Sequence, residues 1–197
     1  MRRIVLSEKP LSDEASLNLA ESARLLSQGR PGEAEAKLTA LQKQYPGNPD
    51  IAINLGGAYI LQRRWDKAAK ALKLATKSHG DNVMLWTNLA AAELGVLETS
   101  GPQQQDRAIA AYERALEIDA ATPNVHYHLG LIYKERGDLT RATAMFRRAL
   151  EVLPTDRDAQ HWIDRIESIA GKADSEGSRP ERKRREIDQQ EGSAAEN

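Results

Sequence analysis

One spacing recurs along most of this 197-residue chain and limits what it can fold into. A first series of small residues comprises Ser22, Gly56, Ala90 and Gly130. A second series comprises Ala34, Ala68, Ala108 and Ala142. The first series advances in steps of 34, 34 and 40, and the second in steps of 34, 40 and 34. The step of 40 comes one place earlier in the second series than in the first. The two series therefore predict four repeated helix pairs, with six additional residues between the two helices of the third pair.

The composition favours helices and excludes several classes of protein. Alanine is abundant, and the strand-favouring residues Val, Ile and Thr dominate no window. The chain has no cysteine, which excludes disulfides, thiol catalysis and zinc–cysteine sites. With 28 Lys and Arg against 29 Asp and Glu, the net charge of -1 does not suit a broad DNA-binding face. Its apolar runs are too short for a membrane span or a signal peptide, so we expect a soluble, cytoplasmic protein without a transmembrane segment.

Local signals indicate where some of the helices begin. Asn48–Pro49 and Thr122–Pro123 each offer an N-cap residue followed by a proline at the first helical position. The six additional residues correspond to the segment 97–102, which we expect to form a longer, exposed loop. Ser100 and Gln103 fit a capping box that restarts the next helix near Pro102.

The residues at the repeated positions also match a family pattern. Unit four carries it most fully, as Leu129, Gly130, Tyr133, Ala142, Phe146, Ala149 and Pro154. In this pattern the chain resembles the tetratricopeptide repeat (TPR) family, whose repeated unit is a single helix–turn–helix. The resemblance implies an all-α fold: an α–α superhelix (right-handed solenoid) of four such units plus a C-terminal capping helix, nine helices in all. In that packing, Gly56 and Gly130 allow the two helices of a unit to approach closely.

The resemblance and the composition together divide the chain into three parts. Residues 1–11 are expected to be a flexible N-terminus, and residues 12–170 to be the TPR domain. Its units are expected at about 15–48, 49–82, 83–122 and 123–156, followed by a capping helix over 156–170 that Gly171 ends. Residues 171–197 carry many charges and one large apolar residue, Ile187, so they are expected to be a disordered tail.

A second repeated feature concerns polar residues in the first helices. Asn88 lies 34 residues after Asn54, and His128 lies 40 residues after Asn88, so the three residues occupy equivalent positions of the repeat. The resemblance implies that these helices line a concave groove, in which an asparagine holds the backbone of an extended peptide. The candidate partner-binding residues are Asn54, Asn88, Tyr127, His128, Leu131, Lys134, Ile53 and Met84. The alternative is that both amides bridge adjacent repeats and are purely structural.

Other kinds of site have little support in the sequence. His126 and His128 are two residues apart, which does not suit a metal-binding pair on a helix, and no metal ligands are expected. No nucleophile elbow or phosphate-binding glycine loop occurs, so we expect neither catalytic residues nor a cofactor. Family members that grip acidic chaperone tails add basic residues to the groove. This chain has Leu19, Ala23, Met84 and Asn88 there, which disfavours that role.

These observations favour a non-catalytic adaptor or scaffold that binds a partner peptide or segment in the groove. One alternative is a structural or self-associating component of a larger assembly. A weaker alternative is an RNA- or membrane-associated factor that acts through a short basic stretch in the tail. That stretch comprises Arg182, Lys183, Arg184 and Arg185, and acidic residues on both sides weaken its field.

Overall fold

A computed structural model describes residues 10–177, and over this range the chain forms nine α-helices. They are α1 (Asp13–Ser27), α2 (Pro31–Gln44), α3 (Pro49–Leu61), α4 (Trp65–Thr76), α5 (Val83–Leu94), α6 (Pro102–Ile118), α7 (Val125–Glu135), α8 (Leu139–Val152) and α9 (Arg157–Gly177). A short 3₁₀ turn, Leu97–Thr99, lies between α5 and α6. The prediction of an all-α chain with four helix pairs and one further helix is confirmed for these residues.

The helices stack in the order in which they occur in the chain. Each first helix packs against the second helix of its unit, and each second helix packs against the next first helix. The first helices α1, α3 and α5 also pack against one another in sequence. In contrast, α7 contacts the preceding unit through α6 and the 3₁₀ turn. A core cluster under α1–α3 and a larger one from α3 to α9 run through the stack.

Two glycines lie where the helices of a unit come closest. A Cβ atom built on Gly56 would lie 2.7 Å from Cδ1 of Leu72, and one built on Gly130 would lie 2.6 Å from Cε1 of Phe146. Leu72 and Phe146 are completely buried. The expectation that these glycines permit close helix contact is therefore confirmed, because no larger side chain fits at either place without displacing a buried neighbour.

The N-cap prediction is confirmed at one helix and wrong at another. The side chain of Asn48 accepts a hydrogen bond of 3.1 Å from the backbone N–H of Ile51, and α3 begins at Pro49. The helix α7, however, begins at Val125, after Asn124 in the left-handed conformation with φ 63°. Thr122 is buried, and its hydroxyl donates to the carbonyl of Asp119, so it belongs to the preceding turn.

The six-residue insertion lies between α5 and α6, as predicted, but it is not simply an exposed loop. Leu97 packs against the large core cluster. The helix α6 begins at Pro102, as predicted, but its capping residues lie one position later than predicted, since the side chain of Gln104, not Gln103, accepts from a backbone N–H, that of Gly101, at 3.0 Å. The prediction was wrong here because a local capping pattern does not account for the packing of Leu97.

A buried amide connects the insertion to unit four. Gln105 is almost fully buried, and its Nε2 donates to the carbonyl and the hydroxyl of Ser100. Its Oε1 accepts a 2.8 Å hydrogen bond from Nε of Arg136, at the end of α7. Arg136 also donates to the carbonyl of Pro102 and to Asp106. These bonds fix α7 to the start of α6.

The predicted end of the capping helix is wrong. The helix α9 continues through Gly171 to Gly177, so residues 171–177 are helical and are not part of a disordered tail. Ala170, Lys172 and Ala173 are strong helix formers, and they offset the cost of one glycine, about 1 kcal/mol. Leu11, assigned above to the flexible N-terminus, packs against the first core cluster. Residues 1–9 and the remainder of the tail, with the stretch 182–185, lie outside the described residues.

The close contact at Gly56 predicts a specific effect of added volume. Gly56→Ala is expected to lower the free energy of unfolding by about 1–3 kcal/mol, because the methyl group would overlap the buried Leu72. Gly57→Ala is the matched control, since the nearest atom to its Cβ is 4.0 Å away. That change is expected to be neutral or to stabilise by up to about 1 kcal/mol. Urea denaturation measures both, and equal effects of the two variants would contradict the prediction.

The network around Gln105 predicts that Arg136 stabilises the junction between units three and four. Arg136→Met is expected to lower the free energy of unfolding by about 1–3 kcal/mol, because the buried Oε1 of Gln105 loses its donor. Arg114→Met provides the control, since Arg114 forms only an exposed ion pair with Glu117. If both variants denature at the same urea concentration, the network does not contribute.

A buried histidine gives the fold a dependence on pH. His126 is 7% exposed, and its Nδ1 has no hydrogen-bond partner among the described residues. Burial lowers the pKa of His126, and Arg148 on α8 lowers it further, whereas Glu151 raises it. The unfolded chain, with an ordinary histidine pKa of about 6.5, therefore binds a proton more readily than the folded chain. Stability consequently falls as the pH decreases through and below that value.

We expect the melting temperature to fall between about pH 7.5 and pH 5, and His126→Leu to make this fall shallower. The substitution removes the group whose protonation the folded state opposes. His161→Leu serves as the control because His161 is exposed on α9. Scanning calorimetry at several pH values measures both variants. An unchanged pH dependence in His126→Leu would show that His126 does not cause the effect.

Candidate functional site

The eight candidate residues lie on three first helices, and we refer to this set of residues as the groove. Ile53 and Asn54 lie on α3, and Met84 and Asn88 lie on α5, which packs against α3. The other four residues lie on α7, which packs against α6 and the 3₁₀ turn of the preceding unit. Lys134 is the one charged residue among the eight.

Both asparagines are held by their own helices. Nδ2 of Asn54 donates a 2.8 Å hydrogen bond to the carbonyl of Asp50, and Nδ2 of Asn88 donates one of 2.8 Å to the carbonyl of Met84. Neither side chain forms a hydrogen bond to a neighbouring repeat within residues 10–177. The alternative of amides that bridge repeats therefore has no support in the structure.

This anchoring leaves most of each carboxamide available. An asparagine NH₂ group has two hydrogens, and one of them is used by the helix. The second hydrogen and the Oδ1 atom make no hydrogen bond to the described part of the chain, and both side chains are half-buried. Each asparagine can thus donate one hydrogen bond and accept one, which is the pattern that a peptide unit presents.

The third position in this register is different, because His128 replaces asparagine. Its ring stacks on Tyr112 of α6, with 5.7 Å between ring centroids and 10° between the planes. Burial lowers the pKa of His128, so its neutral form is favoured. The Tyr127 ring lies edge-on to the His128 ring, and its centroid is 5.7 Å from the centroid of the Phe146 ring. The α7 part of the groove is therefore aromatic.

The remaining candidates differ in exposure and surroundings. Ile53 and Leu131 are half-buried and pack against the core, whereas Met84 is 58% exposed. Lys134 places its Nζ 4.3 Å from the centroid of the Trp162 ring on α9, and 4.0 Å from a carboxylate oxygen of Glu135. The apolar surface can contact partner side chains, and Lys134 lies against the helix that follows the last unit.

Sequence reasoning did not include Trp162 among the candidates. Trp162 lies on a face of α9 that packs against the core, which is a sufficient structural reason for an apolar residue there. A second signal was available, since Trp162 lies one further repeat step after His128 and thus continues the register of the two asparagines. In the same way, Arg165 lies one repeat step after Leu131.

Metal clusters and membrane-spanning helices are absent from the described range. No group of three or more His, Cys, Asp or Glu side chains within residues 10–177 could hold a metal ion. Of the helices described, none is both long enough and apolar enough to cross a membrane.

A curated protein is related to this chain in sequence. One curated relative, the uncharacterized protein y4yS of Sinorhizobium fredii, is 31% identical over 128 residues. The match covers 62% of this chain and 65% of the length of that protein.

Solved structures resemble the fold at lower identity. MamA (41-end) of Desulfovibrio magneticus superposes with a TM-score of 0.70 at 19% identity, over 84% of this chain and 90% of that one. TTC0263, a thermophilic TPR protein of Thermus thermophilus, gives 0.66 at 17% identity, over 81% and 84%. The TPR domain of Arabidopsis OM64 gives 0.53 at 27% identity, over 60% and 93%. The first two likenesses concern the fold alone.

Family models locate the repeats along the chain. Models described as tetratricopeptide repeat match residues 25–92 and 123–156, and one described as TPR repeat matches residues 103–137. Together these matches span more than half of the sequence, and the match to residues 123–156 coincides with the helix pair α7 and α8. The chain belongs to the tetratricopeptide repeat family.

Proposed function

We propose that this protein is a non-catalytic adaptor that binds an extended peptide of a partner protein in the groove. A TPR fold supports a protein–protein interaction or scaffold role in general, and members of the family are generally non-catalytic. The single observation that carries the more specific proposal is the pair Asn54 and Asn88. Both amides are fixed by their own helices and keep one donor and one acceptor for a ligand.

The positions of these two amides on neighbouring helices suit an extended chain. They lie at equivalent positions of α3 and α5, which pack directly against each other. Peptide units carry one N–H and one C=O each, so two amides can hold a backbone without selecting its side chains. The apolar residues around them, Ile53 and Met84, provide contacts for partner side chains.

Peptide selection followed by substitution tests the proposal. A phage-displayed library of random peptides is selected on the full chain, and the affinities of the recovered peptides are measured by fluorescence anisotropy. The double change Asn54→Ala and Asn88→Ala is expected to weaken binding by roughly 5- to 150-fold, from about 0.5–1.5 kcal/mol for each lost hydrogen bond. The melting temperature is expected to change little, because neither amide forms a hydrogen bond to another repeat among the described residues.

The control exchanges two amides outside the groove, by Gln44→Ala and Gln103→Ala, and is expected to leave binding unchanged. Normal binding by the groove variant would refute the proposal. So would a library that yields no peptide, together with a mass in light scattering well above the 21.8 kDa of one chain, which indicates self-association instead.

A further inference from the structure

One apolar residue of α1 is exposed at a position where the other units are buried. Leu17 is 73% exposed. The residues that follow it by whole repeat steps are at most 1% exposed, and they are Ile51, Leu85, Val125 and Ala159. Each of these four lies on a helix that packs against the second helix of the preceding unit. Within residues 10–177 no helix precedes α1, so Leu17 marks a packing surface that the described residues leave uncovered.

The other end of the stack does not offer the surface that α1 lacks. A first helix normally packs against a second helix, and the last second helix, α8, is already covered by α9. Polar side chains of α9 then face outward, since Gln160 bonds to Asp164 and Glu167 pairs with an arginine of α8. Copies stacked head to tail are therefore disfavoured, and the uncovered surface of a second copy is α1 itself.

The exposed surface of α1 can pair with itself. Four exposed residues lie along one face at steps of four, three and four, and they are Asp13, Leu17, Ala20 and Arg24. Two antiparallel copies of the helix, related by a two-fold axis, can place Leu17 of one copy against the small Ala20 of the other. The same alignment places Asp13 opposite Arg24, and the symmetry repeats both contacts.

The charges of α1 favour this antiparallel direction. Asp13 lies in the first turn of the helix and Arg24 in the last, so antiparallel pairing joins opposite charges and parallel pairing joins like charges. Neither residue has an ion-pair partner in the described part of the chain. The acid beside Arg24, Glu21, is already paired with Lys37 at 2.9 Å. Both charges therefore remain available to a second copy.

We propose that α1 is a self-association surface, through which two copies of this chain form a two-fold symmetric, antiparallel dimer. The dimer does not depend on peptide binding in the groove. One helix from each copy is expected to bury less than the roughly 1,000 Å² that a stable interface needs, so the dimer is weak and reversible. It carries two grooves, which raises the apparent affinity for a partner with two binding segments.

Sedimentation equilibrium of the full chain measures the dimer directly. The mass is expected to rise from 21.8 kDa toward twice that value as the protein concentration increases to about 1 mM. Leu17→Glu is expected to weaken dimerisation by about 10-fold or more, because a carboxylate would lose water against Ala20. The matched control, Ile169→Glu, adds the same charge at a residue of α9 that is 53% exposed, and it is expected to leave the dimer unchanged.

Charge reversal tests the direction of the pairing. Asp13→Lys and Arg24→Asp are each expected to weaken the dimer by about 5- to 50-fold, because each variant alone brings like charges together twice. An equimolar mixture of the two variants is expected to form mixed dimers about as strong as the wild type, since every contact again joins opposite charges. A parallel pair would lose no affinity in either variant alone, and that result would contradict the proposed arrangement.

The remaining outcomes are equally decisive. A mass of 21.8 kDa at every concentration overturns the inference. Equal losses in Leu17→Glu and Ile169→Glu would indicate a head-to-tail contact and overturn it too. In dilute solution, Leu17→Glu is expected to leave the melting temperature unchanged. A fall of several degrees would show that the chain itself, for example through residues 1–9, covers Leu17, which also overturns the inference. No peptide is needed in these measurements, so failure of the proposed function leaves them unaffected.

Discussion

The contact between a helical glycine and a buried side chain of the following helix fixes the geometry of the units. Gly56 meets Leu72, and Gly130 meets Phe146, at distances that exclude any Cβ atom. A glycine inside a helix destabilises it by about 1 kcal/mol relative to alanine. Complete burial of a large apolar side chain stabilises the fold by about 1.5–3 kcal/mol, which more than offsets that cost. Because this contact sets how the two helices of a unit cross, it also sets where the next first helix can pack. Residues one repeat step apart therefore occupy equivalent places on the groove.

Unit three departs from this arrangement in a way that affects the groove. Ala90 replaces the glycine there, and the insertion separates α5 from a longer α6. As a result α7 is attached to α6, through Arg136 and Gln105 on one side and through the stacked rings of His128 and Tyr112 on the other. The change from asparagine to histidine in the register thus coincides with this stacked contact to α6.

Much of the fold could be predicted because the repeat is recorded several times in the sequence. Close helix contact demands small residues at fixed intervals, so the repeated positions of Gly56 and Gly130 predict that the two helices of a unit come close together there. The errors concern the ends of helices. There a single residue matches a local capping pattern, but packing determines where the helix begins or ends. Thr122 looks like an N-cap but is buried in a turn, and Gly171 looks like a helix end but lies inside α9. For the groove, the asparagine register was visible, whereas Trp162 was missed because its apolar spacing already had a sufficient explanation.

The proposed groove is chemically different at its two ends, and this difference bears on what a bound chain could convey. Hydrogen bonds from Asn54 and Asn88 would engage a backbone, which is the same in every peptide and nearly the same in both directions. Selectivity would then have to come from groups that only some peptides match. The α7 residues would be of that kind, since the rings of Tyr127 and His128 form an aromatic surface there. Affinity from the asparagines of α3 and α5 and selectivity from the residues of α7 would therefore be separable contributions, supplied by different units.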